Sequence, residues 1–144
     1  GLRVLGYQNS QVLTLCGDGE LQEGSVWEAL MFAKHKKISN FVVLVDNNNI
    51  SSITDTHKVI DLRPLKNRFI GFGLAIEDID GHNVDEIRES IKKLSKGNKP
   101  GIIICNTTKG KDIPFAENDP IWHYRILDEK LYEKAMNHLN GLSS

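Results

Sequence analysis

An aspartate flanked by two glycines, Gly17-Asp18-Gly19, sits where an apolar run ends and an amphipathic one begins. Neither neighbour carries a side chain, so Asp18 can present its carboxylate to a cation while bare backbone N–H groups approach a phosphate. A second polar cluster, Asp46-Asn47-Asn48-Asn49-Ile50, follows another apolar run. Twenty-seven residues, 20 to 46, separate Gly19 from the Asn47-Asn48 pair. A carboxylate, an amide carbonyl and a main-chain carbonyl are hard oxygen ligands, suited to Mg2+ or Ca2+ and not to zinc or copper. Three such oxygens leave about half of an octahedral Mg2+ shell open to a diphosphate and water. Each element alone is a weak signal, because the triplet is short and asparagines after a strand more often make turns.

These groups meet only if two strands deliver them side by side. Val12-Leu13-Thr14-Leu15-Cys16 has the length and apolarity of a strand buried on both faces. After the glycine loop a helix is predicted to begin between Gln22 and Ser25, with Ser25 and Glu28 as a capping pair. Val26, Leu30 and Ala33 fall at i, i+4 and i+7, with Trp27 and Met31 beside them, as its core face. Lys34 to Lys37 close the helix, where positive charge suits the dipole. Phe41 to Val45 is a second buried strand, which makes a right-handed βαβ unit. Ligands in such proteins meet the carboxyl ends of the strands, where Asp18 and the asparagines lie.

The remainder continues the alternation. Asn47 to His57 reads as a polar surface loop, and Pro64 can open a short helix to about Ile70, stopped by Gly71 and Gly73. Leu74 to Ile79 is a third strand and Asp80 to Asn83 a turn, with Asn83 and Glu86 a capping pair. The helix from Val84 to about Leu94 carries Val84, Ile87, Ile91 and Leu94 on one face. Ile102 to Ile104 is a fourth strand, and residues 107 to 127 form an irregular segment long enough to be functional. Asp128 caps a last helix to about Leu139. The prediction is an α/β fold with a mostly parallel sheet flanked by helices, one domain over residues 1–144.

Composition narrows the partners. A net charge of −1 with both signs interspersed gives no electrostatic case for nucleic acid or anionic membrane. The five-residue apolar run Phe41 to Val45 is far too short to span a bilayer, and no signal-peptide pattern opens the chain. Cys16 and Cys105 end strand-like runs, which favours buried reduced thiols in a cytoplasmic protein over a disulfide. Ligand count and spacing exclude zinc. The chain opens on Gly1, and Leu2 to Gly6 looks like the last turn of a helix ended by glycine. The expectation is therefore that the start of a larger protein or domain precedes it. A sheet incomplete at its N-terminus would expose apolar surface.

Beyond the triplet, the whole run Gly17-Asp18-Gly19-Glu20-Leu21-Gln22-Glu23-Gly24-Ser25-Val26-Trp27-Glu28-Ala29 resembles transketolases, more than other users of the motif. A second match, Lys109-Gly110-Lys111 through Phe115, Glu117-Asn118, Pro120 and Trp122-His123, is similar to a segment of transketolases encoded as two chains. The resemblance runs from about Gly1 to the end. It implies the diphosphate-binding module of a thiamin-diphosphate fold. By position, Asp18 and Asn48 resemble the side-chain Mg2+ (or Ca2+) ligands and Ile50 the main-chain carbonyl ligand, with Asn47 the alternative one residue back. Gly17, Gly19 and Glu20 belong to the cofactor-binding loop, Glu23 to a buried position near a contact between subunits. His123 resembles the catalytic histidine that also contacts the diphosphate. Lys109 and Lys111 either attract phosphate or face solvent, His82 fits a structural turn, and His35, His57 and His138 are expected to be solvated.

Two departures from the family pattern stand out. Tyr124 and Arg125 follow His123 where a glycine is usual, and Ala116 follows Phe115 where methionine is usual. The resemblance implies a cytoplasmic transferase of the pentose phosphate pathway, moving a two-carbon ketol unit between sugar phosphates. It also implies a partner, the C-terminal, pyrimidine-binding transketolase subunit, in an α2β2 assembly or dimer, because the glutamate that activates the cofactor belongs to that half. The alternatives are a non-catalytic remnant or structural or regulatory subunit, or another thiamin-diphosphate-dependent transferase or lyase acting on a different ketose or keto acid.

Overall fold

Alternation along the strands sorts the apolar side chains onto the two faces of one sheet. The computed structural model describes every residue except Arg3, Gln8, Ser143 and Ser144. Strands β1 (Val12–Gly17), β2 (Phe41–Asn47), β3 (Ala75–Asp80) and β4 (Gly101–Asn106) lie in the order β1-β2-β4-β3, every neighbouring pair parallel. Parallel strands need crossovers, and α1 (Gly24–His35), α3 (Leu65–Gly71) and α4 (Val84–Ser95) supply them. The first two crossovers step across the sheet in one direction and the third steps back. Right-handedness then puts α1 and α3 on one face and α4 on the other.

The first face holds the larger core. Val43, Val45, Ile102 and Ile104 meet Leu30 of α1 and the fully buried Phe69 of α3. Trp27 stacks on Phe69 with ring centroids 5.5 Å apart and meets Phe72 at 5.2 Å. On the second face Val42, Ile103 and Cys105 pack against Leu94, with Ile87 and Ile91 half-buried beside them. Asn83 caps α4 as its sequence suggests: its Oδ1 accepts the N–H groups of Asp85 (3.1 Å) and Glu86 (3.2 Å), and its amide returns a bond to Glu86.

Several expectations are corrected. β1 is not buried on both faces. It is an edge strand, and among the described residues no helix lies over its second face, so Leu13 is 49% and Leu15 71% exposed. Met31, set beside the core face of α1, is exposed, as is Val84 at the first turn of α4. The loop after β2 contains a single helical turn, α2 (Thr56–Val59), and an antiparallel bridge from Ile50 to Asp55. The irregular segment before α5 (Glu129–Leu142) is a folded one, described below. Asp128 caps α5 through its carboxylate to the N–H of Leu131. Near the start, Gly6 has φ +89° and the Tyr7 N–H reaches the Leu2 carbonyl at 3.0 Å, the hydrogen bond of a glycine-terminated helical turn. Among the described residues no helix is long and apolar enough to cross a membrane, and both cysteines are buried and free.

Candidate cofactor site at the strand ends

Parallel pairing puts Gly17 opposite Asp46, so the loops leaving β1 and β2 start side by side. The first loop is a 3-10 turn over Asp18–Gln22. The Glu20 carboxylate accepts the Gly17 N–H at 2.6 Å, and the Trp27 indole N–H binds the Leu21 carbonyl at 2.7 Å. α1 begins at Gly24, within the expected range, after the extended residue Glu23; Ser25 lies inside its first turn, not at the cap. Glu23 is exposed in the single chain. Asp18 is 6% exposed, and its Oδ2 accepts the Asn49 N–H at 2.5 Å. Burial pushes its carboxyl pKa up and the nearby Asp46 adds to this, while the N–H groups of Asn49 and Gly19 oppose it.

The second loop folds back over the first. Asn49 takes φ +63°, a left-handed conformation that asparagine tolerates, and the Thr56 N–H closes onto its carbonyl at 2.9 Å. Gln22 reaches across to the carbonyls of Thr56 (2.7 Å) and Ile60 (3.2 Å), tying both loops together. The Asn48 amide donates through Nδ2 to Asp46 (3.2 Å) and accepts the Ile50 N–H at Oδ1 (3.0 Å). Asp46 also accepts the Thr107 hydroxyl, from the end of β4.

The third contributor is the segment between β4 and α5. Gly110 takes φ +70°, and a Cβ built there would lie 2.5 Å from the Ala116 carbonyl oxygen, so only glycine fits. The Asn118 N–H then binds the Lys109 carbonyl, and Trp122 packs on Phe115, its indole N–H on the Phe115 carbonyl at 2.9 Å. The Arg125 guanidinium covers the outer face of Trp122 at 5.1 Å. This frame carries a short 3-10 turn, Pro120–His123, whose last residue faces the two loops.

One cavity of about 550 Å³ lies between the three, and Gly17, Asp18, Gly19, Glu20, Asn48, Ile50 and His123 all line it. These seven residues thus meet around one cavity. Asn47 is not among them: it turns to the other side of the sheet, donating to Asn106 at 2.8 Å. Lys109 lines the cavity, whereas Lys111 is exposed beside Asp112. His82 is structural, its Nε2 accepting the Thr108 N–H at 2.8 Å, and His35 and His138 are exposed or half-exposed at helix surfaces. His57 departs from the expectation of solvation, for its Nδ1 is buried and without a hydrogen-bond partner. Sequence reasoning missed Gln22, Ser51, Ser52 and Val59 on the wall. Their signal was proximity to the motif residues, and α2, which delivers Val59, is too short to show periodicity.

The donor set fits a hard cation with a diphosphate. Among the described residues no three His, Cys, Asp or Glu side chains come together, so no soft or all-protein metal cage is formed. The cavity is lined by the carboxylate residues Asp18, Glu20 and Asp46, by Asn48 and Gln22, and by Ile50, a set rich in hard oxygen atoms. Gly17 and Gly19 carry no side chain on this wall, although their N–H groups already serve the Glu20 and Asp18 carboxylates. The nearest atoms to an added Cβ, Glu20 Oε2 at 3.7 Å and Ser51 Cβ at 4.0 Å, would not forbid a larger residue. Packing within this chain therefore does not require glycine at either position.

A parallel α/β sheet with an aspartate-bearing glycine turn and an asparagine loop on adjoining strand ends makes this chain one of the α/β proteins that bind a ligand at the carboxyl ends of their strands. The comparisons specify which. Residues 6–140 match the model of the transketolase thiamine diphosphate binding domain, and the chain belongs to that family. It is 34% identical over 129 residues to the 6-deoxy-6-sulfo-D-fructose transketolase subunit SqwG of Clostridium sp. (strain MSTE9), covering 89% of this chain and 47% of that one. To one of the subunits of the apulose-4-phosphate transketolase of Actinobacillus succinogenes it is 31% identical, covering 90% and 47%. The chain therefore spans about half the length of these relatives. The crystal structure of Campylobacter jejuni transketolase superposes with a TM-score of 0.85 at 32% identity, covering 93% of this chain and 22% of that one.

Proposed function

We propose that this chain is the diphosphate- and Mg2+-binding part of a transketolase that moves a two-carbon ketol unit between sugar phosphates. The observation that carries this is the convergence of Asp18, Asn48, Ile50 and His123 on one cavity from three separate loops. Asp18, the Asn48 amide oxygen and the Ile50 carbonyl would hold Mg2+, and the absence of side chains at Gly17 and Gly19 would admit the diphosphate. Thiamin diphosphate, when bound, supplies the carbanion-stabilising chemistry that ketol transfer requires. Lys109 adds positive charge on the same wall, and the exposed imidazole of His123 can take or return a proton at a substrate oxygen. Buried, unbridged Cys16 and Cys105 support a reducing, cytoplasmic setting.

Activity calls for a second, pyrimidine-binding chain, in keeping with relatives named as transketolase subunits. Because those relatives are named for 6-deoxy-6-sulfo-D-fructose and apulose 4-phosphate, an anionic sugar is the substrate class. Tyr124 favours a second reading, a thiamin-diphosphate reaction on a different ketose or keto acid. It places an exposed ring next to His123 where the family pattern has glycine.

Two measurements test the proposal. Asp18→Ala should abolish Mg2+-dependent thiamin diphosphate binding by the assembled protein in calorimetry, and unchanged affinity would sink the site. The chain purified alone should not transfer ketol from xylulose 5-phosphate to ribose 5-phosphate, and should do so once its co-purifying partner is restored. Turnover by the chain alone refutes the half-enzyme reading.

A further inference from the structure

Resting on the reading of Asn48 as a Mg2+ ligand, we infer that Thr107 is a positioning residue for the metal loop, acting through Asp46 on the Asn48 amide. The Thr107 hydroxyl donates to Asp46 Oδ1, and Asp46 Oδ2 accepts from Asn48 Nδ2 at 3.2 Å. A carboxylate only accepts, so the amide must turn its NH2 towards Asp46. Its oxygen is thereby aimed the other way, to the Ile50 N–H and the cavity. Without a fixed Asp46 the amide could rotate and present a donor to the cation.

Thr107 is itself held from three sides. Its N–H binds the Asn47 carbonyl at 3.2 Å, continuing the β2–β4 ladder one residue beyond the strands. On the opposite side the Gly81 N–H binds the Asn106 carbonyl at 2.8 Å, and His82 takes the N–H of Thr108. Gly81 leaves a notch: a Cβ there would collide with the Thr107 methyl and come within 2.9 Å of the Cys105 Cβ. The methyl fills that notch. A β-branched side chain is stiff about χ1, so seating the methyl against Gly81 fixes the direction of the hydroxyl. The turn between β3 and α4 thus sets an amide two elements away, and a stiff polar partner of this kind is what keeps a ligand's donor atom on its metal.

Thr107→Val keeps the methyl contact and removes the hydroxyl, while Thr107→Ser keeps the hydroxyl. In the full-length protein with its partner, Mg2+ titrated calorimetrically in the presence of thiamin diphosphate should bind Thr107→Val about 10- to 100-fold more weakly. Thr107→Ser should stay within about threefold of the parent, and kcat at saturating Mg2+ should be kept in both, since ligand aim and not the reacting groups is altered. Wild-type Mg2+ affinity in Thr107→Val overturns the inference, as does equal weakening in both variants, which would show that keeping the hydroxyl does not keep the metal. Asp18→Ala separates the two levels. If Asp18→Ala loses Mg2+ and Thr107→Val does not, only the positioning role fails; if Asp18→Ala keeps Mg2+, the site assignment fails.

Discussion

The two faces of the sheet are built from the same strands and end in different states. On one, α1 and α3 bring Leu30, Trp27 and Phe69 down onto Val43, Val45, Ile102 and Ile104. On the other, α4 covers β3, β4 and part of β2, and stops there. Leu13 and Leu15 of β1 stay open beside the half-buried Leu44, above a groove of about 540 Å³ that runs to Lys109 and Gly110. The difference teaches that hydrophobicity along a strand states what it can bury, while neighbours decide what it does bury. In β2 and β4, interior strands, the same kind of run is almost wholly enclosed.

The sharpest way to test this contrast is to remove mass from each face. Phe69→Ala should cost about 3–5 kcal/mol, read as a lowered urea midpoint, because its ring is fully enclosed and is stacked on Trp27. Leu94→Ala, on the inner face of α4, should cost about 2–4 kcal/mol, the second face being well packed where it is covered. Leu15→Lys, on the open stretch, should change the midpoint by no more than about 0.5 kcal/mol and reduce light scattering. A loss of about 2 kcal/mol or more in the assembled protein would break the contrast and show that the stretch is covered there.

The smallest effect concerns the thiols, one on each face. Burial pushes both Cys16 and Cys105 above the ordinary value of 9.0, with Glu20 and Asp46 respectively adding to it. The folded chain therefore keeps thiol protons that the unfolded chain releases. Their contribution to stability is complete below that value and is lost as pH rises through it. The urea midpoint should fall between about pH 8 and pH 10, less so in the double Cys→Ala variant, and neither thiol should react with a disulfide reagent at the free-cysteine rate until the protein is unfolded.

Local rules carried far into this molecule. The cap at Asn83, the strand runs, and the meeting of Asp18 with the asparagine loop at adjoining strand ends follow from side-chain chemistry and spacing, while Asn48, Ile50 and His123 are singled out by the family resemblance. What sequence did not carry depends on neighbours remote in the chain. The edge position of β1 is set by which strands follow it, and the shape of residues 107–127 by single fits such as Gly110 under Ala116. His57 buried its Nδ1 because α2 exists, and four residues are too few to announce a helix.

The two indole hydrogen bonds have an optical consequence. The chain contains two tryptophans. Trp27 is anchored to the Leu21 carbonyl, between the cavity residues Glu20 and Gln22, and Trp122 stands next to His123 on the other rim. Their surroundings differ, one ring sandwiched by phenylalanines and the other roofed by a guanidinium. Native emission therefore samples both rims of the site without any added label, and replacing either indole by phenylalanine leaves a single-colour reporter of the rim that remains.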